Sequence, residues 1–330
     1  MRNTLYRDLT ERAILREGSR ENMSTEREAV AQQGSERLAL FDIGLNLTSH
    51  RFDSDRAEVL ERAWERGLWG ALITGTSVKE SQAARALAQE STALWSTAGI
   101  HPHDAAQRPD NWRASISSLA RTDEVVAIGE CGLDYARDFS PRDVQRRCFE
   151  EQVELAIELQ LPLFLHEREA SEDFLAILRP AVSALPGAVV HCFTGGPERL
   201  EEYLSLGCFV GITGWLCDER RGADLREACA QIPAERILFE TDAPYLTPRD
   251  LRPRPKRGRN EPALLPHILH AAARLRGDDP VALALQSSEN VVELFKLTAP
   301  QLPRMNDSGT NDSGTNDSGT NDSGTNDSGT

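Results

Sequence analysis

Eight short runs of mostly apolar, β-prone residues recur along the chain, separated by longer amphipathic stretches. The intervening stretches have helical spacing, and in 144–160 the apolar residues form one broad face among charged ones. Repeated strand-helix units build a parallel sheet, and eight of them fit a closed barrel. The sequence therefore predicts an α/β fold of the (β/α)₈ TIM-barrel class, with strands at 38–43, 69–74, 94–98, 124–129, 161–165, 187–191, 208–212 and 236–240.

The main rival is a doubly wound open sheet. Such a sheet usually has a phosphate-binding glycine loop after its first strand, and residues 42–47 form no such loop. We therefore assign 38–300 to one barrel domain. Residues 1–37 are rich in charge and poor in large apolar side chains, so we expect a disordered or partly helical extension. We also expect a disordered tail over 301–330, which holds five copies of Asn-Asp-Ser-Gly-Thr.

The net charge and the spacing of the cysteines indicate which classes of protein and which cell compartment are expected. The formal net charge of −15 argues against a protein that coats nucleic acid through many basic residues, although metals can still attract phosphate locally. The six cysteines are scattered without metal-finger spacing, which favours a reducing compartment. We find neither an apolar run long enough for a membrane helix nor a secretory signal, and we expect a cytoplasmic protein.

Polar side chains capable of binding metals or moving protons recur at the carboxyl ends of the predicted strands. In a barrel these ends meet on one face, where enzymes of this fold place their catalytic groups. Carboxylates and imidazoles are the usual ligands of Mg²⁺, Mn²⁺ and Zn²⁺, and two such ions can hydrolyse a phosphate ester together. The residues concerned are Asp42, Asn46, His101, His103, Glu130, His166, His191 and Asp242.

Each of these residues also has an ordinary structural interpretation. Glu130 could cap a helix, Asp242 could begin a turn, and His191 could be a hydrogen-bonded core histidine. Only their coincidence at successive strand ends indicates a shared site. The segment 249–259 adds six basic residues, which could be a solvated loop or a phosphate contact at the rim of the site.

The segments that contain these residues resemble the TatD family of metal-dependent nucleases, within the amidohydrolase-like barrels. The resemblance spans about residues 38–297. It is strongest in FDIGLNLT (41–48), STAGIHPHD (96–104), VAIGECGLDY (126–135), FLHER (164–168), VVHCFTG (189–195), GITGWLCDERRG (211–222), ETDAPYL (240–246) and GRNEP (258–262).

The resemblance implies roles for individual residues. Glu130, His166 and His191 match the family's metal ligands, and Asp242 matches its remaining ligand and proton acceptor. The implied cofactor is Mg²⁺, with Mn²⁺ as a possible substitute and a second metal possible. The segment containing His101 and His103 matches the family's substrate-side His-Pro-His, and we add Arg168 as a candidate for stabilising transition-state charge.

The first strand departs from the wider family, which has His-x-His where this chain has Gly44 and Asn46. We expect a weaker, oxygen-rich first site there, better suited to Mg²⁺ than to Zn²⁺. Glu167 is a second departure, because a smaller residue is usual at that position. It puts fine substrate preference in question.

The predicted function is 3′-5′ exonuclease activity on single-stranded DNA and RNA, in nucleic-acid repair or degradation, by a monomer without membrane association. His101, His103 and Trp215 are candidates for stacking on unpaired bases. One alternative is a D-aminoacyl-tRNA deacylase that uses the same metals against an ester, because fold alone does not separate the two. The other is a nucleic-acid-binding protein without turnover.

Overall fold

The computed structural model describes residues 38–297, so the expectations for 1–37 and 301–330 lie outside the described residues. Eight parallel strands form one sheet in sequential order, as the strand count predicts. The strands are β1 (Leu40–Leu45), β2 (Leu68–Ile73), β3 (Leu94–Ala98), β4 (Val125–Asp134), β5 (Leu163–Arg168), β6 (Ala188–Val190), β7 (Phe209–Ile212) and β8 (Ile237–Phe239).

Helices follow the strands and cover the outside of the sheet. Within the described range they are α1 (Arg56–Glu65), α2 (Val78–Ala88), α3 (Trp112–Leu119), α4 (Arg142–Leu159), α5 (Ser171–Ala181), α6 (Pro197–Ser205), α7 (Ala223–Cys229), α8 (Leu265–Arg276) and α9 (Pro280–Phe295). Among these residues, 38 to 297, no helix is long and apolar enough to cross a membrane.

Several helices begin and end at residues with clear capping chemistry. The Ser77 side chain accepts a hydrogen bond from the Glu80 amide at the start of α2. Asp279 does the same for the Ala282 amide before α9, whose first residue is proline. α8 ends at Gly277 with φ 74°, a left-handed conformation in which glycine has no steric cost. Local sequence therefore sets these boundaries.

The barrel closes between β1 and the residues that follow β8. The Asn46 amide donates to the Ala243 carbonyl at 2.9 Å, and the Asp242 amide donates to the Gly44 carbonyl at 2.8 Å. The buried Asp42 carboxylate adds hydrogen bonds from the backbone and hydroxyl of Thr241. A buried carboxylate needs such partners, so Asp42 fastens this seam.

The interior of the barrel is filled by a cluster of apolar side chains to which all eight strands contribute, Trp95 of β3 being only partly buried. The cluster continues into α9 through Val291, Leu294 and Phe295. α9 lies at the amino ends of the strands, because the Ser288 hydroxyl donates to the Ala39 carbonyl and the Asn290 amide to the Ile237 carbonyl. The carboxyl ends are left for the polar residues.

Candidate metal centre

Glu130 is at the centre of the polar cluster, where three imidazoles surround one carboxylate oxygen. Glu130 Oε1 lies 2.8 Å from His191 Nε2, 2.9 Å from His166 Nδ1 and 3.3 Å from His101 Nε2. Glu130 and His166 lie inside β4 and β5, so the expectation that they stand just past their strands is wrong, whereas His191 directly follows β6. The structure brings all three predicted metal ligands together.

The electrostatics of the cluster favour a positive charge beside Glu130. Burial alone would raise the pKa of Glu130, but His191 and His101 outweigh it and hold that pKa well below the usual range. Burial would likewise lower the pKa of His191, yet Glu130 and Glu240 raise it well above its ordinary value. A divalent cation satisfies the same carboxylates.

His101 is held in one tautomer by its neighbours. Its Nδ1 accepts a hydrogen bond from the His103 amide at 3.1 Å, so the ring proton is on Nε2, which faces Glu130. Burial lowers the pKa of His101 to about 4, which keeps the ring neutral. His101 is therefore arranged as a hydrogen-bond donor at the edge of the cluster.

Asp134 is a site residue that the sequence analysis missed. Its Oδ2 lies 2.8 Å from His103 Nε2 and 3.4 Å from His166 Nε2, and its Oδ1 accepts from the Arg137 amide. Burial would raise the pKa of Asp134, but the hydrogen bond from His103 and the nearby His166 imidazole hold that pKa far below the usual range. Position offered a signal, because side chains four residues apart in a strand lie on the same face as each other, and Asp134 follows Glu130 by four.

Asp242 and Asn46 meet across the barrel seam. Asn46 Nδ2 donates to Asp242 Oδ1 at 2.8 Å, so Asn46 fixes the carboxylate that the sequence analysis names as catalytic. Burial raises the pKa of Asp242 to about 7, with Glu130 adding to the rise and His191 opposing it. A carboxylate with such a pKa can accept a proton near neutral pH.

Glu240 fills the space beside Gly44 in the first strand. A Cβ atom at position 44 would lie 2.2 Å from Glu240 Oε2, so any larger residue would displace this fully buried carboxylate. Glu240 Oε2 lies 3.3 Å from His191 Nδ1, and its other oxygen accepts from the Cys192 amide. Glu240 was not among the predicted site residues, although it stands at the end of a predicted strand.

The remaining predicted residues are less closely associated with the cluster. Arg168 ends β5 with an exposed side chain. Glu167 points into the protein, where it accepts hydrogen bonds from the Ala170 amide and the Tyr203 hydroxyl. In the basic segment 249–259, Arg259 forms an ion pair with Asp55, so its guanidinium is engaged within the protein.

Two exposed aromatic side chains lie beside site residues. The Phe139 ring is 65% exposed, and its centroid lies 4.7 Å from that of His103. Tyr245 is 50% exposed and follows Asp242 by three residues, with its amide bonded to the Asp242 carbonyl. By contrast, His101 is buried, and the His103 side chain, whose Nε2 lies 2.8 Å from Asp134 Oδ2, is 30% exposed.

The cluster fits a divalent cation. His166 Nε2 is buried and has no hydrogen-bond partner among the described residues, so a buried lone pair or N–H is left over. His101, Glu130 and His166 each offer a ligand atom within 4.8 Å of the others. Carboxylate and imidazole donors at this spacing are those of hydrolytic metal sites.

Comparisons with known proteins agree with one another. Residues 41–296 match the family described as TatD related DNase. The "3′-5′ ssDNA/RNA exonuclease TatD" of Rahnella sp. (strain Y9602) is 55% identical over 261 residues, covering 79% of this chain and 99% of the relative. The protein of that name from Salmonella typhimurium is 52% identical, with 78% and 99% covered.

Two solved structures have a similar fold over most of this chain. The TatD homologue YJJV from Escherichia coli K12 has a TM-score of 0.73 at 26% identity, and a TatD family hydrolase from Entamoeba histolytica has a TM-score of 0.70 at 26% identity. In both cases the match covers 78% of this chain and 98% of the other. Both agree with the predicted barrel.

Proposed function

Because the chain belongs to the TatD related DNase family, we propose that it removes nucleotides from the 3′ ends of single-stranded DNA and RNA. It is a hydrolase of nucleic-acid ester bonds. The observation that best supports this function is the convergence of three imidazoles on Glu130 at the carboxyl end of the barrel. The deacylase and binding-only alternatives are not favoured, because close relatives over the whole barrel are named exonucleases.

Glu130, His166 and His191 would hold the metal, which we propose to be Mg²⁺ with Mn²⁺ as a substitute. When bound, the cation supplies Lewis acidity to the phosphate and lowers the pKa of the attacking water. Glu240 lies on the far nitrogen of His191, so it orients that ring and fixes its proton on Nδ1. A second ion is compatible with the nearby Asp242.

Asp242 is the proposed proton acceptor for the attacking water. Its pKa of about 7 in the absence of metal reflects burial and the neighbouring carboxylates. Asn46 holds one carboxylate oxygen at 2.8 Å, which leaves the other free to orient water. We propose that His101 and His103 contact the substrate and that the exposed Arg168 balances the negative charge of the phosphate.

Phe139 and Tyr245 are the proposed stacking surfaces for unpaired bases. Both are large, exposed aromatic side chains next to site residues. Base stacking on an aromatic ring tolerates any sequence and requires unpaired bases. Phe139 and Tyr245 add to the stacking candidates His101, His103 and Trp215, of which His101 is buried.

The test is release of mononucleotides from a 3′-labelled single strand with Mg²⁺, Mn²⁺ or Zn²⁺. We expect Glu130→Ala and His191→Ala to abolish release, whereas His270→Ala, on the exposed face of α8, serves as the matched control and retains it. A strand with a nuclease-resistant 3′ linkage should survive. Release of D-amino acid from aminoacylated tRNA without nucleotide release would instead favour the deacylase, and binding with no turnover would favour the non-enzymatic alternative.

A further inference from the structure

A second group of metal-ligating side chains shares no residue with the candidate metal centre. Cys217 ends the 3₁₀ turn Gly214–Cys217, Asp250 lies in the loop that follows Asp242, and His267 is in the first turn of α8. One ligand atom from each lies within 4.8 Å of the others, and His267 Nε2 lies 2.8 Å from Asp250 Oδ1. Three separate segments therefore bring these side chains to one point.

The spacing suits a single tetrahedral ion. With Zn–S near 2.3 Å and Zn–N near 2.0 Å, two ligands of one Zn²⁺ stand about 3.3–3.7 Å apart. The Asp250–His267 contact of 2.8 Å is shorter than this, and all three ligand atoms lie within 4.8 Å of one another, so small side-chain rotations would admit the ion. Cys217 is 6% exposed, while Asp250 and His267 are partly exposed, so an ion can reach the group from solvent.

The surroundings provide room and preformed backbone. A cavity of about 460 Å³ lies against Cys217 and Asp250, with space for a water as fourth ligand. Asp218 Oδ2 lies 3.1 Å from Arg249 Nε, so the residues next to Cys217 and Asp250 are already joined. The two segments are therefore held near each other before the ion binds, and the ion would add a further link between them.

The charges balance when a divalent cation binds. Arg226 and Arg274 line the same cavity and would repel an isolated cation, and Glu219, which also lines it, offsets one of these two charges. A thiolate and a carboxylate together carry two negative charges, so their complex with Zn²⁺ is neutral toward the arginines. Because the thiolate is the form of cysteine that binds metal, binding displaces the thiol proton of Cys217.

We propose that Cys217, Asp250 and His267 bind one Zn²⁺ ion that fastens the loop after Asp242 to the Gly214–Cys217 turn and to α8. The thiolate and imidazole select zinc over Mg²⁺, which prefers oxygen ligands. The role is structural, because three protein ligands on three segments cross-link them. Saturating Zn²⁺ should raise the unfolding midpoint by about 5 °C.

The test uses Co²⁺ as a spectroscopic probe of the full chain in a non-thiol reductant. A cobalt-thiolate charge-transfer band in the near ultraviolet is expected for the wild type and should disappear on addition of Zn²⁺. Cys217→Ala should abolish the band, and His267→Gln should weaken Co²⁺ affinity at least tenfold. Glu130→Ala, which damages the other centre, and Cys192→Ala, which removes the thiol beside it, should both keep the band.

The outcomes separate this proposal from the exonuclease proposal. Absence of the band in the wild type, or its survival in Cys217→Ala, would overturn the zinc site, and loss in Cys192→Ala instead would assign the thiolate to the candidate metal centre. If Cys217→Ala does not fold, Asp250→Asn and His267→Gln decide, because both side chains are partly exposed. Neither result depends on nuclease activity.

Discussion

Substitution of Gly44 by alanine tests whether Glu240 occupies the space that a side chain would need. The added Cβ would lie 2.2 Å from Glu240 Oε2, whereas such contacts are not seen below 3.0 Å, so the carboxylate must move by nearly 1 Å. It has little room, since a Cβ at Gly211 would lie only 2.6 Å from Glu240 Oε1. Moving it breaks the contact with His191.

The expected cost follows from these contacts. Overpacking a filled core costs about 1–3 kcal/mol, and losing a hydrogen bond to a charged group costs about 1.5–3 kcal/mol. One displacement produces both effects, so they do not simply add, and we expect Gly44→Ala to lower the free energy of unfolding by about 2–3 kcal/mol. At about 2–4 °C per kcal/mol, the midpoint should fall by about 4–12 °C.

The assay is urea and thermal unfolding without added metal, with Gly196→Ala as the matched control. A Cβ at Gly196 meets its nearest neighbour, Asp224 Cβ, at 3.5 Å, and its φ is −90°, so that variant is free of overlap and should lose only the N-cap preference for glycine over alanine, about 1 kcal/mol or less. In a Glu240→Ala background, Gly44→Ala should cost almost nothing. Equal destabilisation in both backgrounds, or none in the wild type, would refute the reasoning.

Three further results are expected. Asp134→Asn should lower kcat/KM on a labelled single strand by about 10- to 100-fold, because it weakens the acceptor that holds His103 and lies beside a proposed ligand; an unchanged rate would remove Asp134 from the site. Phe139→Ala should raise KM for single strands about fivefold or more with kcat and folding unchanged; an unchanged KM would exclude stacking there. Arg259 lowers the pKa of Asp55 from its ordinary value of 3.8, so the stabilisation is complete above that value and is lost as the pH falls through the lower, folded-state pKa. Unfolding measured from about pH 5 to about pH 2 should show a steeper loss for the wild type than for Asp55→Asn, by less than about 1 kcal/mol at this partly exposed pair, and parallel curves would contradict it.

The eight strands were predictable because buried parallel strands are short, continuous apolar runs. The end of β4 was not. Its last residues, 130–134, include a charged residue at each end and a glycine, yet they pair with β5 as far as Asp134 and Arg168. The pairing depends on Gly132, where a Cβ would lie 1.9 Å from the His166 carbonyl oxygen. No apolar pattern records so close an approach of two backbones.

The sequence predicted several residues of the candidate site, but not the side chains that hold them in position. Strand ends and the family resemblance together named Glu130, His166, His191 and Asp242, whose metal and proton roles remain proposals. The side chains that hold them, Asp134 and Glu240 among them, were missed because a buried carboxylate in an apolar strand gives no local sign of its partner. The prediction of a weak first metal site rested on the missing histidines at positions 44 and 46. In the structure, the Glu240 carboxylate occupies the space beside Gly44.

The apolar cluster that fills the barrel and continues into α9 limits how a nucleic-acid strand can enter and leave the site. Because the barrel interior is filled and its amino end is covered, a strand cannot thread from one side to the other. Substrate and product must therefore enter and leave through the same opening, at the carboxyl ends of the strands. If the proposed function holds, a released nucleotide must leave past the shortened nucleic-acid strand. We therefore expect product release to limit the rate of turnover.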